Sequence, residues 1–143
     1  MILVTGATGN VGSEIARQLI ARNVPFRIYV CDADKAAAMI GADGYEVALG
    51  DFSDEAAFAS ALKDVDAVYM VTNQSDAFKT DLQRMVQQVQ RAGVQRFVML
   101  SAEGDPESDI FFVRHHSVLS AQSATNGLYQ TLKVEIPYSI RGN

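Results

Sequence analysis

Apolar residues follow two rhythms along this chain. Short apolar runs at 2–4, 26–31, 45–49, 65–72 and 96–101 have the length and composition of strands. The run at 65–72, Val-Asp-Ala-Val-Tyr-Met-Val-Thr, is apolar enough to predict a strand buried on both faces. Between the runs, apolar positions recur at helical spacing. Val11, Ile15, Ala16, Leu19 and Ile20 form one stripe, with Glu14, Arg17, Gln18 and Arg22 on the other face. Phe78, Leu82, Met85, Val86 and Val89 form another, within a helix predicted over 76–92. Two shorter helices are predicted at 34–40 and 55–62, and a longer one at 110–125. Residues 128–136 change rhythm: Leu132, Val134 and Ile136 alternate with Lys133 and Glu135, as in a half-exposed edge strand.

Punctuation between the runs agrees with these elements. Asn23 and Pro25 end the first helix, and Asp32 or Asp34 caps the second. Ser53 is placed to cap the third, with Asp54 and Glu55 in its first turn. Gly93 sits at the C-terminal end of the fourth. Strands thus alternate with helices, which predicts an α/β fold of three layers: a doubly wound parallel sheet joined by right-handed crossovers. With a glycine turn after the first strand, the expected Rossmann-like strand order is 3-2-1-4-5-6. Ligands then belong at the carboxyl ends of strands one and four.

That glycine turn is the main candidate for chemistry. Val4-Thr5 runs into Gly6, Gly9 and Gly12, and the first helical stripe begins there. Glycines at this spacing remove side chains where a diphosphate must approach the backbone, and let the helix pack closely on the sheet. The amides around Asn10, Val11 and Gly12 then face the pyrophosphate. At the end of strand two stand Cys31 and Asp32, where an acid holds ribose hydroxyls and a base favours a 2′-phosphate. Asp32 suits either the ribose or a helix cap, and Cys31 equally suits a plain strand end. Asp51, in Gly50-Asp51-Phe52, is a candidate hydrogen-bond partner for the adenine amino group or simply a turn residue. Thr72-Asn73 follows strand four at the switch point, and Ser101 ends strand five.

Composition narrows the setting. The 143 residues, 48% hydrophobic and 20% charged, fit one globular domain. No apolar stretch approaches the roughly 20 residues of a membrane span, and no charged leader precedes a cleavable segment. A single cysteine excludes an internal disulfide, so a cytoplasmic protein is expected. A net charge of -5 argues against a nucleic-acid surface. The pair His115-His116 has no acidic partner at ligand spacing, so no metal site is expected.

Val4-Thr5-Gly6-Ala7-Thr8-Gly9-Asn10-Val11-Gly12, with Gly50-Asp51-Phe52, Ala92-Gly93-Val94 and Leu100-Ser101-Ala102, resembles the NmrA-like branch of the atypical short-chain dehydrogenase/reductases. The resemblance covers about residues 1–128. That branch holds NADPH-dependent quinone reductases and redox-sensing transcriptional regulators. It implies a nicotinamide dinucleotide, NADP or NAD, bound by Gly6, Thr8, Asn10 and Val11, with Asp51 and Phe52 near the adenine. It further implies Thr72 and Asn73 along the ribose, Ser101 near the nicotinamide, and His116 beside that pocket as a candidate proton donor. Ser101 and His116 are therefore the candidate catalytic residues.

The chain departs from the branch at four places. Cys31 replaces a common Arg, which leaves NAD open. Tyr129 and Lys133 reproduce the spacing of the short-chain dehydrogenase Tyr-x-x-x-Lys pair, but a strand would hold them roughly 13 Å apart. Ser120 and Ser123 replace a Glu and a Leu of the relatives, and Lys133-Val134-Glu135 stands where Arg-Pro is usual. The sequence ends at Asn143 without the smaller substrate lobe, so 1–143 reads as one dinucleotide-binding domain with that lobe absent or truncated. Three functions fit: a reductase passing hydride from NAD(P)H to a small acceptor such as a quinone, a non-catalytic redox sensor acting through a protein partner, or a piece of a longer enzyme. A homodimer through the alternating edge is a further expectation.

Overall fold

In the computed structural model, the described residues are 1–71, 78–102 and 129–134; side chains are described for 1–71 and 81–100. Strands and helices alternate as β1 (Ile2–Thr5), α1 (Asn10–Ala21), β2 (Phe26–Val30), α2 (Ala33–Ile40), β3 (Glu46–Leu49), α3 (Glu55–Ala61), β4 (Ala67–Met70), α4 (Phe78–Arg91), β5 (Arg96–Ala102) and β6 (Tyr129–Val134). All neighbouring strands pair in parallel, in the order β3-β2-β1-β4-β5-β6. This is the doubly wound, Rossmann-like order expected from the alternation of strands and helices with a glycine turn after the first strand.

Period-two alternation explains why both faces of the sheet carry a core. Val4, Phe26, Ile28 and Val30 pack with Ala16, Ala36 and Ile40 under α1 and α2. Leu3, Tyr29, Val68, Met70, Phe97 and Met99 pack with Phe58, Leu82, Met85 and Val89 under α3 and α4. Sheet and helices therefore form three layers, and Phe26, Phe58, Leu3 and Ile28 are fully buried. Each such side chain contributes about 1.5–3 kcal/mol relative to exposure. Arg27 ties three elements together. Its guanidinium pairs with Glu46 of β3 and donates to the carbonyls of Ala61 (2.7 Å) and Lys63 (2.9 Å), satisfying acceptors at the C-terminal end of α3.

Several boundaries move for local reasons. Helix α1 begins at Asn10 rather than after Gly12, with Gly9 as its cap in an extended conformation. The cap of α3 is Asp54, which accepts from the amide of Ala57, not Ser53. Ser53 instead donates both its amide and its hydroxyl to the Asp51 carboxylate, which closes the preceding turn. Strand β4 is shorter than 65–72: Val65 still belongs to the turn, donating to Leu62, and beyond Met70 the amide of Val71 is taken by the Thr5 hydroxyl. Tyr129 and Lys133 do lie in a strand, β6, at the sheet edge, so they share no helix face. The helix expected at 110–125 lies outside the described residues. Among the described residues, no helix is long and apolar enough to cross a membrane.

Candidate dinucleotide site

The site is built where β1 ends. Gly6 turns the chain with φ +67°, and a Cβ there would stand 2.9 Å from the Val71 Cβ and 3.0 Å from its carbonyl oxygen. Gly12 is tighter still: its Cβ would lie 2.2 Å from the Gly6 carbonyl oxygen, so only hydrogen fits where the first turn of α1 crosses the loop. The Gly9 amide donates to the Gly6 carbonyl at 2.9 Å. Gly9 itself is exposed, and a Cβ on it would meet only the Gly6 oxygen, at 3.3 Å. Of the three glycines, Gly6 and Gly12 make the turn possible, while Gly9 keeps its outer surface bare.

Helix α1 has no side-chain cap and no acidic residue in its first turn. Its leading N–H groups and the positive end of its dipole are thus left for an external anion. Behind the turn, the Ser13 hydroxyl donates to the Asn10 carbonyl at 3.1 Å and fixes that first turn from the buried side.

The loop opens onto a cavity of about 330 Å³ lined by Gly6, Thr8 and Gly9 from the turn, Tyr29, Val30 and Cys31 from the end of β2, Gly50, Asp51 and Phe52 after β3, and Val71 after β4. A cradle that a Cβ would fill, an open helix N-terminus and an adjoining, mostly apolar cavity together fit a dinucleotide.

Six of the residues expected from the sequence meet on this wall: Gly6, Thr8, Gly9, Cys31, Asp51 and Phe52. Asn10 and Val11 are exposed at the start of α1, beside the cavity rather than on its wall, and Gly12 is buried beneath the turn. Asp32 is the cap of α2, its Oδ1 accepting from the Lys35 amide at 2.9 Å, and it stands next to the wall residue Cys31. Ser101 falls within β5, in register with Lys133 of β6. Thr72, Asn73 and His116 lie outside the described residues. Among the described residues, no cluster of His, Cys, Asp and Glu has the makings of a metal centre.

Tyr29, Val30 and Val71 are wall residues that the sequence pattern did not single out, and Gly50 entered only within the Gly50-Asp51-Phe52 motif. Tyr29 matters most. Its hydroxyl donates to the Asp51 carbonyl at 2.7 Å, pinning the Gly50-Asp51-Phe52 loop to β2. A Cβ on Gly50 would fall 2.3 Å from that hydroxyl, so the glycine is what admits the phenol. Burial pushes the Tyr29 phenol up to about 12, and the negative charges of Asp54 and Asp51 add to the shift, so it remains a donor. Asp51 moves the other way: hydrogen bonds from the Ser53 hydroxyl and amide lower its carboxyl below the ordinary value. The one signal in the sequence was the amphipathic Tyr in an apolar strand, facing the same side as Arg27.

A parallel sheet in this order, with a glycine turn feeding a bare helix N-terminus at the switch between β1 and β4, defines a Rossmann-type dinucleotide-binding domain. The chain belongs to the NAD(P)H-binding family, whose family model matches residues 6–126. This agrees with the NmrA-like resemblance carried by the glycine motif. Over 116 residues the chain is 40% identical to the (4-alkanoyl-5-oxo-2,5-dihydrofuran-3-yl)methyl phosphate reductase of Streptomyces griseus, covering 80% of this chain and 39% of that protein. It is 36% identical over 111 residues to the NAD(P)H azoreductase of Xenophilus azovorans, covering 77% of this chain and 38% of the azoreductase. Among solved structures, the NADPH-dependent quinone oxidoreductase of Escherichia coli, complexed with NADPH, superposes with a TM-score of 0.77 at 26% identity, over 93% of this chain and 48% of that one. The chain thus spans about two fifths of these two curated relatives and about half of the quinone oxidoreductase.

Proposed function

We propose that this chain is the cofactor-binding domain of an NAD(P)H-dependent oxidoreductase that passes hydride to a small acceptor such as a quinone. The observation that carries this reading is the fit of the Gly6–Gly9–Gly12 turn to a diphosphate, at a cavity joining the ends of β1, β2 and β3. In it, the amides of Asn10, Val11 and Gly12 face the pyrophosphate, Asp51 and Phe52 flank the adenine, and Cys31 and Asp32 stand at the adenosine ribose. By the NmrA-like resemblance, Thr72 and Asn73 would follow the second ribose, with Ser101 and His116 on the nicotinamide side.

The reduced nicotinamide, when bound, supplies the hydride, so the protein's part is to bind and orient it. Reducing a quinone to a hydroquinone takes one hydride and one proton, and His116 is the candidate to deliver that proton. The relatives named as reductases support the reaction class.

A steady-state assay tests this. NADH or NADPH is mixed with a panel of quinones, and loss of the reduced-nicotinamide absorbance is followed. Acceptor-dependent oxidation that saturates with cofactor is the expected result. Saturable cofactor binding with no turnover for any acceptor would instead support a dinucleotide sensor acting through a protein partner.

A further inference from the structure

The charges at the end of β2, beside the cavity, bear on which of the two nicotinamide cofactors the site would take. They differ in one group: NAD carries a hydroxyl at the adenosine 2′ position, NADP a phosphate of about −1.5 to −2 charge. In this fold the residues ending β2 meet that group. Here they are Cys31, exposed on the cavity wall, and Asp32 beside it. Asp32 commits only Oδ1 to the Lys35 amide, at 2.9 Å, which leaves Oδ2 to accept from a hydroxyl. A 2′-hydroxyl has such a proton to give, whereas an ionised phosphate has none and brings like charge.

Among the described residues the wall offers no compensation. There, the one ionisable acid or base besides Cys31 and Tyr29 is Asp51, whose carboxyl is held below its ordinary range by Ser53 and so stays charged at neutral pH. Arg17, the guanidinium bridging α1 and α2, is already engaged, Nε donating to the Met39 carbonyl at 3.2 Å and one terminal nitrogen to Glu14 at 2.9 Å. Lys35 is exposed in the first turn of α2, a solvated point charge without the planar fork that grips a phosphate.

We propose that the site takes NADH in preference to NADPH, with Cys31 and Asp32 as the residues that select. The inference rests on the cavity being a nicotinamide-dinucleotide site.

Paired calorimetric titrations of the whole chain with NADH and NADPH, at one ionic strength, test it. NADH is expected to bind at least about tenfold more tightly. Cys31→Arg is expected to shift the ratio toward NADPH by about tenfold, and Asp32→Asn, which keeps a good helix cap, to shift it in the same direction. Equal affinities, or tighter NADPH binding, by the unaltered chain would overturn the inference and leave the cofactor reading standing. A ratio unmoved by both substitutions would remove Cys31 and Asp32 as selectors. Binding of neither nucleotide would overturn the cofactor reading and the preference with it.

Discussion

The hydroxyl of Thr5 donates to the carbonyl of Val71 at 2.7 Å and accepts from the amide of the same residue at 2.9 Å. Thr5 is fully buried at the end of β1, and Val71 follows the end of β4. One side chain therefore takes over from the sheet ladder where the two strands stop pairing. It holds open the switch point into which Gly6 turns, and Val71 in turn forms part of the cavity wall.

Replacing Thr5 with Val keeps the shape but leaves both Val71 groups without that partner. A loss of about 1–3 kcal/mol of stability is expected, since stranded buried polar groups cost more than the bond contributed. Urea unfolding measures it. A loss under about 0.5 kcal/mol would show that water replaces the hydroxyl without cost.

The three glycines are expected to separate folding from binding. Gly12→Ala drives a Cβ into the Gly6 carbonyl and is expected to cost about 1–3 kcal/mol. Gly9→Val meets only a 3.3 Å contact, in an extended backbone that suits Val, so the fold should persist while the diphosphate is kept away. Thermal melts together with NADH titration distinguish them. A Gly9→Val protein that binds normally would refute the phosphate-loop assignment.

Tyr29→Phe removes the donor that pins the Asp51 loop, at an expected cost of about 1 kcal/mol. It should also weaken AMP more than nicotinamide mononucleotide, because the loop it holds lies at the adenine end. The pH dependence has a definite sign. A phenol raised from 10.0 to about 12 in the fold contributes stability that is complete below the unfolded value and disappears as pH rises through the folded one. Phenolate absorbance in an alkaline titration should show a late-ionising tyrosine that is missing from Tyr29→Phe.

Asp51 has the opposite sign. Its carboxyl is lowered, chiefly by the Ser53 hydroxyl, so its stabilising turn contacts are present above the ordinary carboxylate range and lost as pH falls through the folded value. Ser53→Ala should raise the Asp51 pKa toward the ordinary value in a carboxyl NMR titration. An unmoved titration curve would mean that the Ser53 amide alone holds the charge.

Much of this was legible in the residues. Two hydrophobic rhythms were enough for the parallel α/β class, because a parallel sheet buried on both faces leaves its strands as bare apolar runs such as 2–4 and 26–31, and the glycine turn after the first strand added the strand order. The turn was legible because glycine spacing reports a steric demand, and Gly12 against the Gly6 carbonyl is that demand. Tyr29 was not, since its role depends on a hydrogen bond to a residue in the next loop, which no local pattern encodes. The choice of Asp54 over Ser53 as cap was hidden for a similar reason: two adjacent cap formers compete, and the Asp51 carboxylate decides by claiming the Ser53 hydroxyl. Asp32 was ambiguous because capping and ribose binding ask for the same short acid. The structure shows the cap and leaves a second oxygen free for the other role.

The most direct test of the dinucleotide site is a nicotinamide fluorescence titration of the unaltered chain, with Gly9→Val as its partner. Saturable enhancement at one site per chain, abolished in a Gly9→Val protein that melts normally, is the predicted result. No saturable change with either NADH or NADPH would contradict the assignment of the Gly6–Gly12 turn as a cofactor cradle.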